Sequence, residues 1–439
     1  MLVEFRVKNY RSLRDEQVFS MVASTDKAMQ DTHVMDTGLK AVPGVLRSAV
    51  LYGANASGKS NLIKALQYMR KVVLRSAAWP PDARFSVLPF LLDKESAVEP
   101  TEFELTFIMD GVRHQYGFAM TKERIVSEYL LVYRAFKPQR WFERRYDKAT
   151  GKDVYEFGAG LKGAKAVWEQ ATRPNALFLS TAVQLNSEAL RPVFEWIQHG
   201  LVIFNEQAPL SPFTSLKMLQ NQEGKRWICD FLSAADISIA DIELIEQHDA
   251  DVADPINKLS FAEGAPKELR ALDSRISEVL GESGMPDERV YRVAFFHATE
   301  HGNTPLDLEG ESSGTRNLLF LAGPILDILK SGRVLVVDEL DTSLHPLLVR
   351  ELVRMFLRPE INTGGAQLVF TTHDASLLAA DNLLRRDQVW FVEKDADQAS
   401  SLVALAEYSP RKNEALEKGY LMGRYGGIPF LQGGLEGMH

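Results

Sequence analysis

One octapeptide near the N-terminus constrains the fold of this chain of 439 residues more than any other feature. Residues 53–60, Gly-Ala-Asn-Ala-Ser-Gly-Lys-Ser, fit the pattern G-x-x-x-x-G-K-[ST] at every fixed position. The run 47–52 before it, which is apolar from Ala49 to Tyr52, is typical of a buried strand, and residues 60–68 have the apolar spacing of a helix packed on one face. This order predicts a phosphate-binding loop, with Lys59 reaching the β- and γ-phosphates of a nucleotide and Ser60 ligating Mg²⁺.

A carboxylate pair follows a second apolar run. Residues 334–337 are all Val or Leu and precede Asp338 and Glu339. Such a strand delivers Asp338 to its C-terminal edge, where the carboxylate can hold the metal or its water. Glu339 can then polarise an attacking water. A solvated turn would show the same pattern, and the phosphate-binding loop is what favours the catalytic interpretation.

Two histidines and a small-residue segment complete the candidate site. His373 ends another apolar strand, and we expect it beside the γ-phosphate; a satisfied histidine at a strand end is the alternative. His345, just before Pro346, also fits helix capping. Residues 311–314, Glu-Ser-Ser-Gly, open a predicted helix upstream of Asp338, and small residues there make either an anion site or an ordinary N-cap.

The order of these motifs resembles the ABC-type ATPase superfamily in its SMC-like and RecF-like branch. Residues 53–60 are similar to the Walker A loop, residues 311–314 to the signature motif, and Asp338-Glu339 to Walker B; Asp341 and His373 match the D-loop and the switch histidine. The resemblance implies two chains packed head to tail, so that the signature of one closes over the ATP of the other. The signature is Glu-Ser-Ser-Gly, which leaves open whether Ser312 or Ser313 contacts the γ-phosphate.

A narrower resemblance lies at both ends of the chain. Residues 5–13, 55–61 and 419–429 are similar to the bacterial AAA15 or abortive-infection ATPases, such as the phage-defence ATPases of the AbiL and PARIS types and relatives of the overcoming-lysogenisation-defect proteins. This resemblance implies ATP and Mg²⁺ as cofactors, a homodimer or higher oligomer, and a partner effector that is a toxin or nuclease. A RecF-like ATPase that binds DNA directly is the alternative, and a scaffold that binds ATP without turnover is a third.

Together, the motifs and the resemblance assign three kinds of role. The expected catalytic residues are Lys59, Glu339 and His373. The expected metal ligands are Ser60 and Asp338. The expected nucleotide contacts are Gly53, Asn55, Ala56, Ser57, Gly58, Lys59, Ser60, Asn61, Ser312, Ser313, Gly314 and Asp341.

The expected fold class is α/β, an ABC-type P-loop ATPase with a mixed central sheet, an antiparallel β subdomain and a helical insertion. Short apolar runs alternate with helical segments after residue 290, which is typical of a parallel sheet buried on both faces. Four segments are predicted: an N-terminal ATPase lobe at 1–78, the antiparallel β subdomain at 79–161, the helical insertion at 162–288 and a C-terminal ATPase lobe at 289–439.

Composition limits the surroundings and the partners of the chain. A net charge of −9 argues against a general polyanion binder. The single cysteine, Cys229, cannot form an internal disulfide and fits a reducing cytosol. Since no apolar run reaches the roughly 18 residues that a membrane helix needs, we expect a cytoplasmic protein without a membrane span.

Two charged segments leave room for a further activity. Residues 134–152 interleave basic and aromatic side chains. This pattern fits a surface that contacts nucleic acid or an acidic protein. It also fits ordinary strands that have one apolar face and one solvated basic face. Residues 393–397 carry three acidic side chains, but they are consecutive between two predicted strands. We therefore predict an exposed hairpin turn there rather than a Toprim-type nuclease centre.

Overall fold

A computed structural model describes residues 1–204, 213–234, 239–247, 290–299, 302–342, 344–379, 383–408 and 414–427. The chain divides into two compact units, the first formed by residues 1–208 and 328–439 and the second by residues 209–327. Over these described ranges, no helix has the length and apolar content required to cross a bilayer.

Labels follow chain order across both units. The strands are β1 (Leu2–Lys8), β2 (Gln17–Ser20), β3 (Val34–Leu39), β4 (Val42–Leu46), β5 (Ser48–Tyr52), β6 (Thr101–Met109), β7 (Val112–Met120), β8 (Ile125–Tyr133), β9 (Gln139–Asp147), β10 (Lys152–Phe157), β11 (Leu201–Phe204), β12 (Ile239–Gln247), β13 (Val290–Thr299), β14 (Gly302–Asp307), β15 (Val334–Val337), β16 (Gln367–Thr371), β17 (Val389–Lys394) and β18 (Ser400–Ala404). The helices are α1 (Gln30–His33), α2 (Lys59–Arg75), α3 (Lys165–Ala171), α4 (Phe178–Gln184), α5 (Arg191–Glu195), α6 (Phe213–Leu219), α7 (Gln222–Ala234), α8 (Ser313–Ser331), α9 (Pro346–Leu357) and α10 (Leu416–Leu421).

The central sheet of the first unit has the order β11-β15-β16-β5-β17-β18. Its first five strands are parallel, and β18 returns antiparallel to β17. Every residue of β5, β15 and β16 is buried, because both faces of the sheet are covered. The mixed central sheet is therefore confirmed, and so is the predicted hairpin, although Glu393 and Lys394 end β17 and only residues 395–397 of the segment 393–397 lie in its turn.

A second sheet of the first unit is entirely antiparallel, in the order β10-β9-β8-β7-β6-β1-β2. Its inward positions alternate along each strand and bury large aromatic rings, among them Phe103, Phe107 and Phe118. Strands β6 and β7 form a hairpin within the predicted antiparallel β subdomain, with Phe107 opposite His114. The N-terminal strands β1 and β2 extend this sheet, so both ends of the segment 1–161 contribute to it.

The segment predicted to be a helical insertion contains strands as well. Helices α3 to α7 lie within it, but Leu201–Phe204 is β11, which pairs parallel with β15, and Ile239–Gln247 is β12, which pairs antiparallel with β13. A purely helical segment is thus wrong at these two places, where a sheet edge was available to short apolar runs. Residues 248–289 lie outside the described residues. The division into four segments stays a prediction.

A buried ion pair fixes the antiparallel sheet to α4. Arg144 of β9 is fully buried, with its Nη1 3.9 Å from Glu128 Oε2 and its Nη2 donating to Asp153 Oδ2 at 2.8 Å. Glu128 accepts the backbone N–H groups of Phe178 and Leu179 at 2.6 and 2.9 Å, at the start of α4. Burial raises the pKa of Glu128, while Arg144 opposes that shift.

Replacing Arg144 with alanine should lower the free energy of unfolding by about 3–5 kcal/mol, because it leaves the Glu128 carboxylate buried without its cation. Urea denaturation followed by tryptophan fluorescence measures this loss. Arg145→Ala is the matched control, since the Arg145 side chain is 62% exposed and its pair with Glu143 is worth less than about 1 kcal/mol. Equal losses in the two variants would contradict the structural role of Arg144.

Candidate nucleotide-binding site

The loop between β5 and α2 has the backbone conformation of a phosphate cradle. Ala56 and Gly58 have φ angles of 62° and 114°, in the left-handed region. A Cβ atom on Gly58 would lie 2.3 Å from Ser400 Oγ, so both the conformation and the space require glycine there. Asn55 and Ala56 are exposed at the tip of the loop, whereas Ser57 is buried beneath it. Backbone N–H groups arranged in this way converge on an anion.

Lys59 lies beneath this loop. Its Nζ donates hydrogen bonds to the carbonyl oxygens of Gly53 at 2.6 Å and Ala54 at 3.2 Å. The residue is only 6% exposed, and burial lowers the pKa of Lys59, while the carboxylates of Glu339 and Asp338 oppose that shift. An ammonium has three N–H bonds, so one remains for a phosphate oxygen.

Three side chains meet at the carboxyl edge of the central sheet. Both the Ser60 hydroxyl and the Thr371 hydroxyl donate to Asp338 Oδ1, at 3.1 and 2.8 Å. The backbone N–H of Glu339 in turn donates to Thr371 Oγ1 at 2.6 Å. Thr371 is not among the residues predicted from the sequence, although its place at the end of an apolar strand, two residues before His373, is a signal.

This arrangement fits Mg²⁺. A hydroxyl and a carboxylate are the hard oxygen ligands that this ion prefers. In the part of the chain that the structure describes, no cluster of three or more His, Cys, Asp and Glu side chains is suited to a metal. Mg²⁺ bound by Ser60 and Asp338 would therefore take its other ligands from water and phosphate, which is its usual behaviour in nucleotide sites.

Glu339 has a strained backbone. Its φ is 55°, which costs a non-glycine residue about 1–2 kcal/mol. The N–H bond to Thr371 and the bond from Thr342 N to Glu339 O at 2.9 Å hold this conformation. The Thr342 hydroxyl also donates to Glu339 Oε2 at 3.3 Å, which orients the carboxylate. Strain held by neighbouring bonds is common at functional sites.

The two histidines differ in their surroundings. The backbone N–H of His373 donates to Asp341 Oδ2 at 3.2 Å, and the His373 side chain is exposed at the same sheet edge. Among the described residues, Asp341 Oδ1 is buried without a hydrogen-bond partner. His345 instead caps α9, since its Nδ1 accepts the N–H of Leu347 at 3.3 Å. The capping interpretation of His345 is confirmed.

A serine cluster holds the loop from behind. Asn61 Nδ2 donates to Ser12 Oγ at 2.7 Å, and Ser400 Oγ donates to Ser57 O at 2.5 Å and lies 2.7 Å from Ser12 Oγ. The loop is thus linked to the turn between β1 and β2 and to β18. Ser12 lies in the N-terminal motif 5–13, but nothing in the sequence marks Ser400.

The signature residues belong to the second unit. Ser312 is the N-cap of α8, with its hydroxyl accepting the Thr315 N–H at 3.1 Å, and Gly314 lies in the first turn. Glu311, just before them, pairs with His297 Nε2 at 2.5 Å. The expected N-cap geometry is present, and the contact of Ser312, Ser313 and Gly314 with nucleotide stays a prediction.

The basic segment 134–152 is not a uniform binding face. Arg144 is fully buried, so its expected contact with nucleic acid is wrong. Arg140 pairs with Glu143 and with Glu156, and Arg145 pairs with Glu143 at 2.6 Å. Arg140, Arg144 and Arg145 are therefore all paired with carboxylates, which come from their own strand at Glu143 and from neighbouring strands at Glu128, Asp153 and Glu156.

The fold and this site define a P-loop nucleotide-binding protein of the α/β class. The chain belongs to the AAA domain family described as "putative AbiEii toxin, Type IV TA system", whose profile matches residues 48–379.

The fold is similar to the SMC head domain from Thermotoga maritima, with 13% identity and a TM-score of 0.40 over 92% of this chain and 98% of that one. It is also similar to the Smc head domain with an extended coiled coil bound to the C-terminal domain of ScpA from Pyrococcus furiosus, with 12% identity and a TM-score of 0.43 over 93% and 97% of the two chains. A comparison with curated proteins found no match.

Thr371→Val should raise the Mg²⁺ concentration needed for ATP binding about 10–100-fold, because it removes the hydroxyl that orients Asp338 and accepts from Glu339. A fluorescent ATP analogue titrated with Mg²⁺ measures this change. Thr371→Ser keeps the hydroxyl and should bind close to wild type. If the serine variant loses as much affinity as the valine variant, the hydroxyl does not position the metal ligand.

Proposed function

We propose that this protein is an ATP-binding and ATP-hydrolysing dimeric switch that controls a partner effector, a toxin or nuclease, in bacterial defence against phage. The observation that carries the proposal is the convergence of Ser60, Asp338 and Glu339 at one sheet edge, next to Lys59. A phosphate cradle, a metal-binding pair and a carboxylate base are the parts that ATP hydrolysis requires.

Each part has a distinct task in this proposal. The loop N–H groups and Lys59 hold the phosphates, and Ser60 with Asp338 holds Mg²⁺, which neutralises charge on the phosphate oxygens when bound. Glu339 accepts a proton from the attacking water, since its carboxylate is oriented by Thr342. His373, exposed beside Asp341, donates a hydrogen bond to the γ-phosphate.

The dimer rests on the signature residues. Ser312 is exposed at the N-terminus of α8, a helix of 19 residues, and Gly314 is half-exposed. Unpaired N–H groups and the helix dipole favour an anion at such an end. We infer that this end of one chain closes over the γ-phosphate held by its partner, so that the closed dimer forms only with ATP.

The effector in this proposal is inferred from the family and not from the geometry of the site. The family description names a putative toxin and a toxin–antitoxin system, which supports a role beside a toxic protein. The single cysteine supports a cytoplasmic location, where thiols stay reduced. In this proposal the closed ATP-bound dimer and the open chain differ in their affinity for the effector, and ATP hydrolysis returns the dimer to the open state.

Glu339→Gln should keep ATP binding, lower phosphate release about 10²–10⁴-fold and accumulate an ATP-bound dimer, because the amide cannot accept the proton of water. Phosphate release and size-exclusion chromatography with light scattering measure both effects. A wild-type rate in this variant would show that Glu339 is not the base.

Two further variants make the result specific. Gly314→Glu, added to Glu339→Gln, should return the chain to a monomer that still binds ATP. A Cβ at this glycine meets only Ser312 Oγ, at 3.6 Å, so the larger side chain fits its own chain. Glu360→Gln, at an exposed glutamate outside the site, should leave hydrolysis unchanged. A dimer that persists with Gly314→Glu contradicts the role of the signature.

The effector can be sought by co-expressing the tagged chain with proteins encoded next to it. With ATP, Glu339→Gln should retain a toxin or nuclease partner that Lys59→Ala does not retain, because only the first variant forms the closed dimer. Quantitative mass spectrometry of the purified complexes measures the difference. Equal recovery on both variants would show that nucleotide does not control the association.

A further inference from the structure

A cleft of about 180 Å³ lies in the first unit at one end of the antiparallel sheet. Its walls come from the end of β3 with the turn that follows it (residues 38–41), from Arg113 near the start of β7, and from the end of β8 with the turn that follows it (residues 133–136). None of these residues belongs to the nucleotide-binding loop or to the carboxylate edge.

The cleft is strongly basic. Lys40, Arg113 and Arg134 line it, and Lys137 follows in the same turn. Within the described ranges, none of these four side chains forms an ion pair or a hydrogen bond. The contrast with Arg140 and Arg145, which pair with carboxylates, is sharp in a chain whose net charge is −9. Unpaired cations gathered in this way attract a polyanion locally.

Two aromatic rings accompany the cations. The Arg113 guanidinium lies 3.8 Å from the centroid of the Tyr133 ring, and the Tyr133 hydroxyl donates to Gln115 at 2.6 Å. This stacking holds Arg113 in place while its N–H edge can still bind a phosphate. Phe136 is 77% exposed at the tip of the next turn, so its ring can accept a second planar group.

We propose that this basic cleft binds single-stranded nucleic acid, with phosphates on Lys40, Arg113 and Arg134 and a base stacked on Phe136. Cations that follow a backbone, together with an exposed aromatic ring, form the usual platform for unpaired strands. An acidic protein would use the cations and leave the ring without a role. DNA and RNA share the chemistry, and the experiment separates them.

The full-length chain is titrated against fluorescently labelled 20-mers of deoxythymidine and of uridine, and anisotropy is recorded. Phe136→Ala should weaken binding of the preferred strand about 5–150-fold, the range for loss of one stacked base. Phe136→Trp should restore it, since the larger ring also stacks. Absence of binding to both strands at low salt would overturn the proposal.

The cations are tested by charge removal at matched sites. Lys40→Ala with Arg134→Ala should weaken binding and lower the slope of log affinity against log salt by about 1.4, for two lost phosphate contacts on a single strand. Lys148→Ala with Lys152→Ala removes two exposed charges at the opposite end of β9 and should change neither quantity. An equal loss in this control would assign the binding to overall charge.

The same assay separates two alternative explanations, a different binding site and a different ligand. Lys59→Ala should bind the strand like wild type, because the cleft lies apart from the phosphate-binding loop; loss of binding would assign the strand to that loop. Polyglutamate should compete poorly with the labelled strand. If polyglutamate competes as well as unlabelled strand does, and Phe136→Ala does not change strand binding, the cleft is assigned to an acidic protein.

Discussion

A single carboxylate oxygen, Asp338 Oδ1, joins the parts of the nucleotide site. It accepts the hydroxyl of Ser60 from the start of α2 and the hydroxyl of Thr371 from the end of β16. These contacts exist because β16 lies between β15 and β5, so that the carboxyl ends of three parallel strands meet at one edge. The phosphate cradle, the metal ligands and the base therefore share one rigid support.

Backbone with positive φ at the site is stabilised by that support. Glu339 and Gly58 both have positive φ. The Thr371 hydroxyl of β16 accepts the backbone N–H of Glu339, and the Ser400 side chain of β18 packs against Gly58. The bonds that impose the conformation cost nothing further when a ligand arrives, because they are already formed. A preorganised site of this kind ties nucleotide binding to the central sheet and to the turn that carries Ser12.

Sequence patterns predict the local motifs of the first unit and miss the features that depend on residues distant in the chain. The loop 53–60, the strand before Asp338 and the capping residue His345 are local patterns, and the structure has them where expected. Leu201–Phe204 is a strand within the predicted helical segment, since a short apolar run fits either structure until a sheet edge is present. Thr371 and Ser400 went unassigned because single hydroxyls carry no spacing signal.

The sequence by itself determined the chemistry of contiguous motifs, because a strand, a glycine-rich loop and a helix fold next to one another and set their own backbone geometry. Only the tertiary structure decided which distant residues meet. It buried Arg144 against Glu128, although sequence places that arginine in a basic surface segment. It also gathered Lys40, Arg113 and Arg134 around one cleft. Strand order and register are set by long-range pairing, which no local pattern records.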